Sequence, residues 1–95
     1  GIQTKFKLAQ NYPNPFNSTT QIKFSLEKQS NVNITVYDLT GQKVRTLLDA
    51  QLNLGEYRVV WDGRDDRGMP VSSGIYLYRM KADNYSELRK MILSK

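Results

Sequence analysis

Residues 59–80 read VVWDGRDDRGMPVSSGIYLYRM, and the two runs at the ends of this stretch decide the fold. On the upstream side Tyr57, Val59 and Trp61 alternate with Arg58 and Val60, the period of two expected where one face of a sheet is buried. Downstream, Gly74-Ile75-Tyr76-Leu77-Tyr78-Arg79-Met80 is aromatic and β-branched, which suits a pleated, half-buried surface. Between them lie Asp62-Gly63, Asp65-Asp66, Arg67-Gly68, Pro70 and Ser72-Ser73, turn residues almost throughout. The expectation is two strands flanking a charged hairpin, with Trp61 and either Tyr76 or Tyr78 as anchors of a core.

Working outward, Lys5 to Gln10 alternates weakly and reads as a short edge strand with Phe6 and Leu8 on one face. The loop Asn11-Tyr12-Pro13-Asn14-Pro15-Phe16-Asn17 has two prolines to fix the backbone and two aromatics to pin it. Ile22, Phe24 and Leu26 share one face of a strand over 19–26, and Val32, Ile34 and Val36 one face of the next. The short link at 27–31 excludes a parallel crossover, so these two strands are expected to pair antiparallel. Asp38-Leu39-Thr40-Gly41 reads as a tight turn with glycine at a position needing positive φ. Gln42 to Leu48 resumes as a strand in which Leu47 spoils the alternation, and 49–54 reads as a loop whose Leu52 and Leu54 tuck beneath the sheet. The last strand spans 86–93, where Leu88, Met91, Ile92 and Leu93 leave its inward face open. About seven strands at short spacing with no helical period give an all-β fold, an antiparallel sandwich.

Ninety-five residues make one domain, 1–95, with 1–7 as a linker and no room for a second core. The chain has no cysteine and no histidine, so the commonest metal ligands and the usual proton shuttle are missing. Fourteen Lys and Arg against nine Asp and Glu give +5, spread along the chain without the clusters of a nucleic-acid footprint. No apolar run is long enough to span a membrane as a helix.

Asp62, Asp65 and Asp66 are candidate calcium ligands, but Arg64 and Arg67 interrupt them and no terminal bidentate Glu follows, so a charged hairpin is the better reading. Catalysis would need a nucleophile with a base, or paired carboxylates across a cleft; the acids sit mostly in turns, and Ser72-Ser73 has no base. A sugar-stacking platform of Trp61 with the tyrosines is weaker than core packing, because Trp61 shares its face with Tyr57 and Val59. Asn14-Pro15-Phe16 also matches a short trafficking ligand, though anchoring of the loop outweighs it.

Several segments occur together and in order: Ala9 to Asn17 before a strand, Val36-Tyr37-Asp38 with Gly41, Gly55-Glu56-Tyr57 leading to Trp61-Asp62-Gly63, Ser73 to Arg79, and Arg89 to Leu93. From about Leu8 to Lys95 they resemble the C-terminal type A sorting domain of type IX secretion cargo. Ser18 departs from that pattern, which often has a second proline after NPFN. The resemblance implies an immunoglobulin-like sandwich without catalysis or cofactor, following an upstream cargo that is often a hydrolase. It implies export through the periplasm, recognition by the outer-membrane translocon, and processing by a sortase that fixes the cargo to the cell surface. Residues implied in recognition are Asn14, Pro15 and Phe16; Gly74, Tyr76, Tyr78 and Arg79; and Arg89, Lys90 and Lys95. The WDGRDDRG loop also resembles the immunoglobulin-like domain of flagellar hook-capping proteins, which implies a structural module; a carbohydrate-binding module is a third class.

Overall fold

Seven strands, most of them buried with a period of two, make up the computed structural model, which describes residues 5–95; residues 1–4 of the expected linker lie outside the described residues. The strands are β1 (Lys7–Leu8), β2 (Thr20–Leu26), β3 (Ser30–Tyr37), β4 (Lys43–Leu52), β5 (Gly55–Trp61), β6 (Gly74–Ala82) and β7 (Tyr85–Leu93). They form a three-stranded sheet in the order β1-β2-β5 and a four-stranded sheet in the order β4-β3-β6-β7. Every strand pair is antiparallel, which gives the expected immunoglobulin-like sandwich.

Ile22, Phe24 and Leu26 of β2 and Trp61 of β5 face Val32, Ile34 and Val36 of β3 and Tyr76, Tyr78 and Met80 of β6. Each such side chain contributes about 1.5–3 kcal/mol by leaving water, so the core rests on both sheets. Trp61 packs edge-on to Tyr76 at 5.3 Å between ring centroids, one of the two anchoring pairs that the sequence left open. Tyr76 also donates its hydroxyl to Ser72 O (2.6 Å), four residues upstream, tying the start of β6 to the corner that leads into it.

Three expectations change. β2 and β3 do not pair: β2 joins β1 and β5, while β3 joins β4 and β6. A short link limits the distance between strand ends but not the sheet they enter, and both apolar faces are buried by stepping across the sandwich. For the same reason the strands that flank the charged loop of 59–80 do not pair with each other, since β5 and β6 lie in different sheets; the loop closes a small hairpin of its own, with an antiparallel bridge between Arg64 and Pro70. The supposed loop at 49–54 is mostly strand, with β4 running to Leu52 and Leu54 left 62% exposed. Leu47 breaks the alternation because the register slips there: Ile34 pairs with Leu48 but Thr35 with Thr46, so Leu47 is the extra residue of a bulge. The turn at 38–41 forms as expected, with Gly41 at φ 88° and the Asp38 carboxylate accepting from the Thr40 and Gln42 amides.

In β7 the odd residues face inward, and Met91 and Leu93 are buried while Leu88 is exposed. The pattern is obscured because Glu87 and Arg89 also point to this side. Arg89 Nε donates to Leu8 O (2.7 Å) and stands 3.5 Å from Glu87, so polar groups fill the place of apolar ones beneath β1.

Candidate functional site

Residues 10–16 run alongside the free edge of β7. Gln10 Nε2 donates to Lys90 O (2.7 Å), the Asn14 carboxamide oxygen accepts from Ile92 N (2.9 Å), Phe16 N donates to Ile92 O (3.0 Å), and Ser94 N donates to Phe16 O (2.8 Å). Phe16 thereby forms a parallel bridge with Leu93. The contacts advance together along both segments, so the loop acts as an irregular extra strand that satisfies edge groups of β7.

The loop keeps this path through buried polar residues and one aromatic. Asn11 Nδ2 donates to Thr20 Oγ1 (3.0 Å) and to Pro13 O (3.2 Å), while Thr20 Oγ1 donates to Pro13 O (2.8 Å). Phe16, 2% exposed, packs against Trp61 at 5.7 Å. Its ring is spent on the core, so the NPF triplet is not displayed as a ligand. Behind the loop the Tyr78 hydroxyl accepts from Asn11 N (2.8 Å) and donates to Ala9 O (2.7 Å). Burial pushes this phenol up to about 12, partly opposed by the bond from Asn11.

The candidate recognition residues fall into three groups. Asn14, Pro15 and Phe16 flank the end of β7 on its free edge, opposite Gly74, which pairs with Leu93 from β6, and near the end of the strand stands Lys95, whose amide donates to Ser73 Oγ (3.0 Å) and whose ammonium reaches Val71 O; Tyr76 lies in the core. A shallow cleft of about 300 Å³ opens there, between Asn17, Ser18, Asp62, Gly63, Leu93 and Lys95. Tyr78 and Arg89 are register partners turned inward under the 8–11 segment, and the neighbouring Lys90 is exposed. Arg79 lies elsewhere, on the outer face of the four-stranded sheet over the Tyr37 ring at 5.9 Å. Sequence reasoning passed over Gln10, Asn11 and Thr20; their one signal was three amide and hydroxyl side chains around a proline loop, which only the fold brings to β7.

The three aspartates serve the loop and its junction with β4. Asp62 Oδ1 accepts from Arg64 N (3.2 Å), and Asp65 Oδ1 accepts from Arg67 N (2.9 Å) and Met69 N (3.0 Å). Asp66 covers the β4 edge, its amide donating to Val44 O (3.0 Å) and its Oδ1 accepting from Thr46 N (3.0 Å). Among the described residues no group of three or more acidic side chains gathers to hold a metal ion. Trp61, fully buried with Nε1 donating to Arg64 O (2.9 Å), presents no face to a sugar.

The two loops meet where Gly63, at φ 73°, brings its backbone against Ser18. A Cβ there would lie 3.5 Å from Ser18 O, and the backbone angle already disfavours any side chain. Ser18 itself holds φ 99°. Proline keeps φ near −65° and cannot take this path, which accounts physically for the departure from the NPFN-proline pattern.

The sequence matches the FlgD Ig-like domain family over residues 10–86. No curated protein matches the chain. Among solved structures, it superposes on dimeric latent PorU from Porphyromonas gingivalis with a TM-score of 0.75 at 21% identity, covering 97% of this chain and 9% of that one. PorZ, described as a surface component of the type-IX secretion system of the same bacterium, gives 0.56 at 20% identity, over 95% of this chain and 11% of that one. FlgD from P. aeruginosa gives 0.62 at 20% identity, over 97% and 76%. The chain thus spans about a tenth of the two Porphyromonas proteins.

Proposed function

The chain belongs to the FlgD Ig-like domain family, and on that premise we propose that it serves as a non-catalytic sorting domain for an upstream cargo. In this reading the type IX outer-membrane translocon recognises the folded domain after passage through the periplasm, and a surface sortase acts on the cargo that follows it out. The observation that carries the reading is the clasp of Asn14–Phe16 on the end of β7, which places the NPFN loop, Gly74 and Lys95 on one end of a rigid sandwich. A translocon that reads a folded address needs such a fixed surface. The ordered likeness of the segments from Leu8 to Lys95 to type A sorting domains supports it.

The test is export. Residues 1–95 fused behind a secreted reporter in a type IX-competent host are expected to bring the reporter to the cell surface or medium. Purely periplasmic retention overturns the proposal. The family match favours a second reading, a structural immunoglobulin-like module of an extracellular assembly, and under that reading the reporter stays periplasmic while the domain folds normally.

A further inference from the structure

Four strand edges bound the two sheets. β1 is two residues long, Asp66 covers the β4 edge at Val44 and Thr46, and the 10–16 loop covers the β7 edge from Lys90 onward. β5 has no such cover along its length among the described residues. Its odd residues Tyr57, Val59 and Trp61 oppose Phe24, Ile22 and Thr20, whereas Gln21 and Lys23 of β2 turn their backbone groups to the other side, towards Tyr12 and Ala9. By antiparallel alternation the N–H and C=O groups of Glu56, Arg58 and Val60 point outward along the free edge, and among the described residues no strand pairs with them. Their side chains lie on the outer face, and Val60 is 56% exposed. On that face Arg58 stands directly opposite Lys23 in register, a like-charge pair that costs free energy.

From this edge we propose that β5 pairs antiparallel with β5 of a second copy of the chain, about a twofold axis at Tyr57. The register follows from charge. Centred on Tyr57, the pairing sets Glu56 opposite Arg58 of the second copy and Arg58 opposite its Glu56, each with backbone groups oriented to exchange both hydrogen bonds. A shift of one residue either way along the axis opposes Glu56 to itself or Arg58 to itself. The chosen register supplies Arg58 with the acid that its Lys23 neighbour lacks. It brings the two half-buried Tyr57 rings together at the axis, and it brings exposed Val60 towards exposed Leu54 of the other copy. The product is a continuous six-stranded sheet. So short an edge makes a small interface, so the association is weak and salt-sensitive. It rests on the edge alone and stands whether or not the domain is a sorting signal.

Sedimentation equilibrium at low salt tests it, using the 95-residue chain, E56R, R58E, an equimolar mixture of the two, and the double swap E56R/R58E. The parent is expected to dimerise with rising concentration, and each single reversal to weaken dimerisation about tenfold. The mixture and the double swap are expected to recover it: the mixture sets a basic edge against an acidic one, and the double swap restores opposite charges in this register alone. Both side chains are exposed, and urea midpoints equal to the parent's verify that each variant is folded. A parent that stays monomeric to about 1 mM overturns the proposal. Dimerisation that the single reversals leave unchanged, or that the mixture fails to recover, overturns it too.

Discussion

The loop over residues 62–71 and the loop over residues 11–17 are both irregular, both carry proline, and each covers part of one edge of the four-stranded sheet, yet they differ in how far away their partners lie. In 62–71 half of the hydrogen bonds close within the loop, from Asp62 to Arg64, Asp65 to Arg67 and Met69, Gly68 to Asp65, and Val71 to Gly63, and the rest reach chiefly the neighbouring β4 at Val44, Arg45 and Thr46. In 11–17 the decisive partners are far along the chain: Tyr78, Ile92 and Ser94, with Trp61 beneath Phe16. The first loop carries much of its own instruction, and the second takes its shape from the finished fold. Local bonds of the first kind survive changes elsewhere; long-range ones fail with the core.

Removing Phe16 breaks this contrast most directly. Phe16→Ala is expected to cost about 3–5 kcal/mol by leaving a cavity against Trp61, and urea unfolding should show it together with loss of amide protection at Ile92 and Ser94. A loss below about 1 kcal/mol would mean that the loop holds itself after all. Tyr78→Phe comes next, at about 2 kcal/mol, since Asn11 N and Ala9 O lose their shared partner in a buried place. This variant also carries a pH signature. The folded phenol titrates near 12 against an ordinary 10, so its neutral form stabilises the fold fully below pH 10 and that contribution fades as pH rises from 10 through 12. Alkaline denaturation followed by circular dichroism should therefore be shallower in Tyr78→Phe than in the parent over that window.

Asp65→Ala is expected to cost only about 1 kcal/mol, and hydrogen exchange should confine the change to Arg67 and Met69. Exchange spreading to β7 would erase the distinction between the loops. Smallest is Ser18→Gly, which relieves a left-handed backbone at the junction of the two and should raise the urea midpoint by an amount worth about 0.5 kcal/mol. Ser18→Pro has the opposite sign, because φ 99° is closed to proline.

The same contrast sets what was legible in the sequence. Strands β2, β3, β5 and β6 were plain because burial with period two is a local property, and so was the Asp38–Gly41 turn, whose side chain bonds within five residues. Trp61 was legible as an anchor from face and size, but the choice of Tyr76 over Tyr78 as its partner was not, since both share one face of β6. Sheet membership was not: apolar alternation in β2 and β3 says that each buries a face, not which sheet each joins. The inward face of β7 stayed hidden because Glu87 and Arg89 occupy core-side positions, made tolerable by Leu8 O and by each other. Of the candidate recognition residues, the exposed Asn14, Pro15, Gly74, Lys90 and Lys95 are open to a partner. The sequence showed Phe16 and Tyr78 as prominent aromatics, and only packing reveals that the core consumes them.

The parallel run of residues 10–16 against β7 has a mechanical consequence. Tension drawn between residue 10 and residue 95 pulls two side-by-side parallel segments in opposite directions, so it loads the contacts at Lys90, Ile92 and Ser94 in shear and together. An antiparallel pair pulled from its open end would instead lose its bonds singly, in sequence. A force-extension trace should show this as a single rupture that Asn14→Ala lowers. A domain dragged by one end against a load held at the other would yield late and all at once.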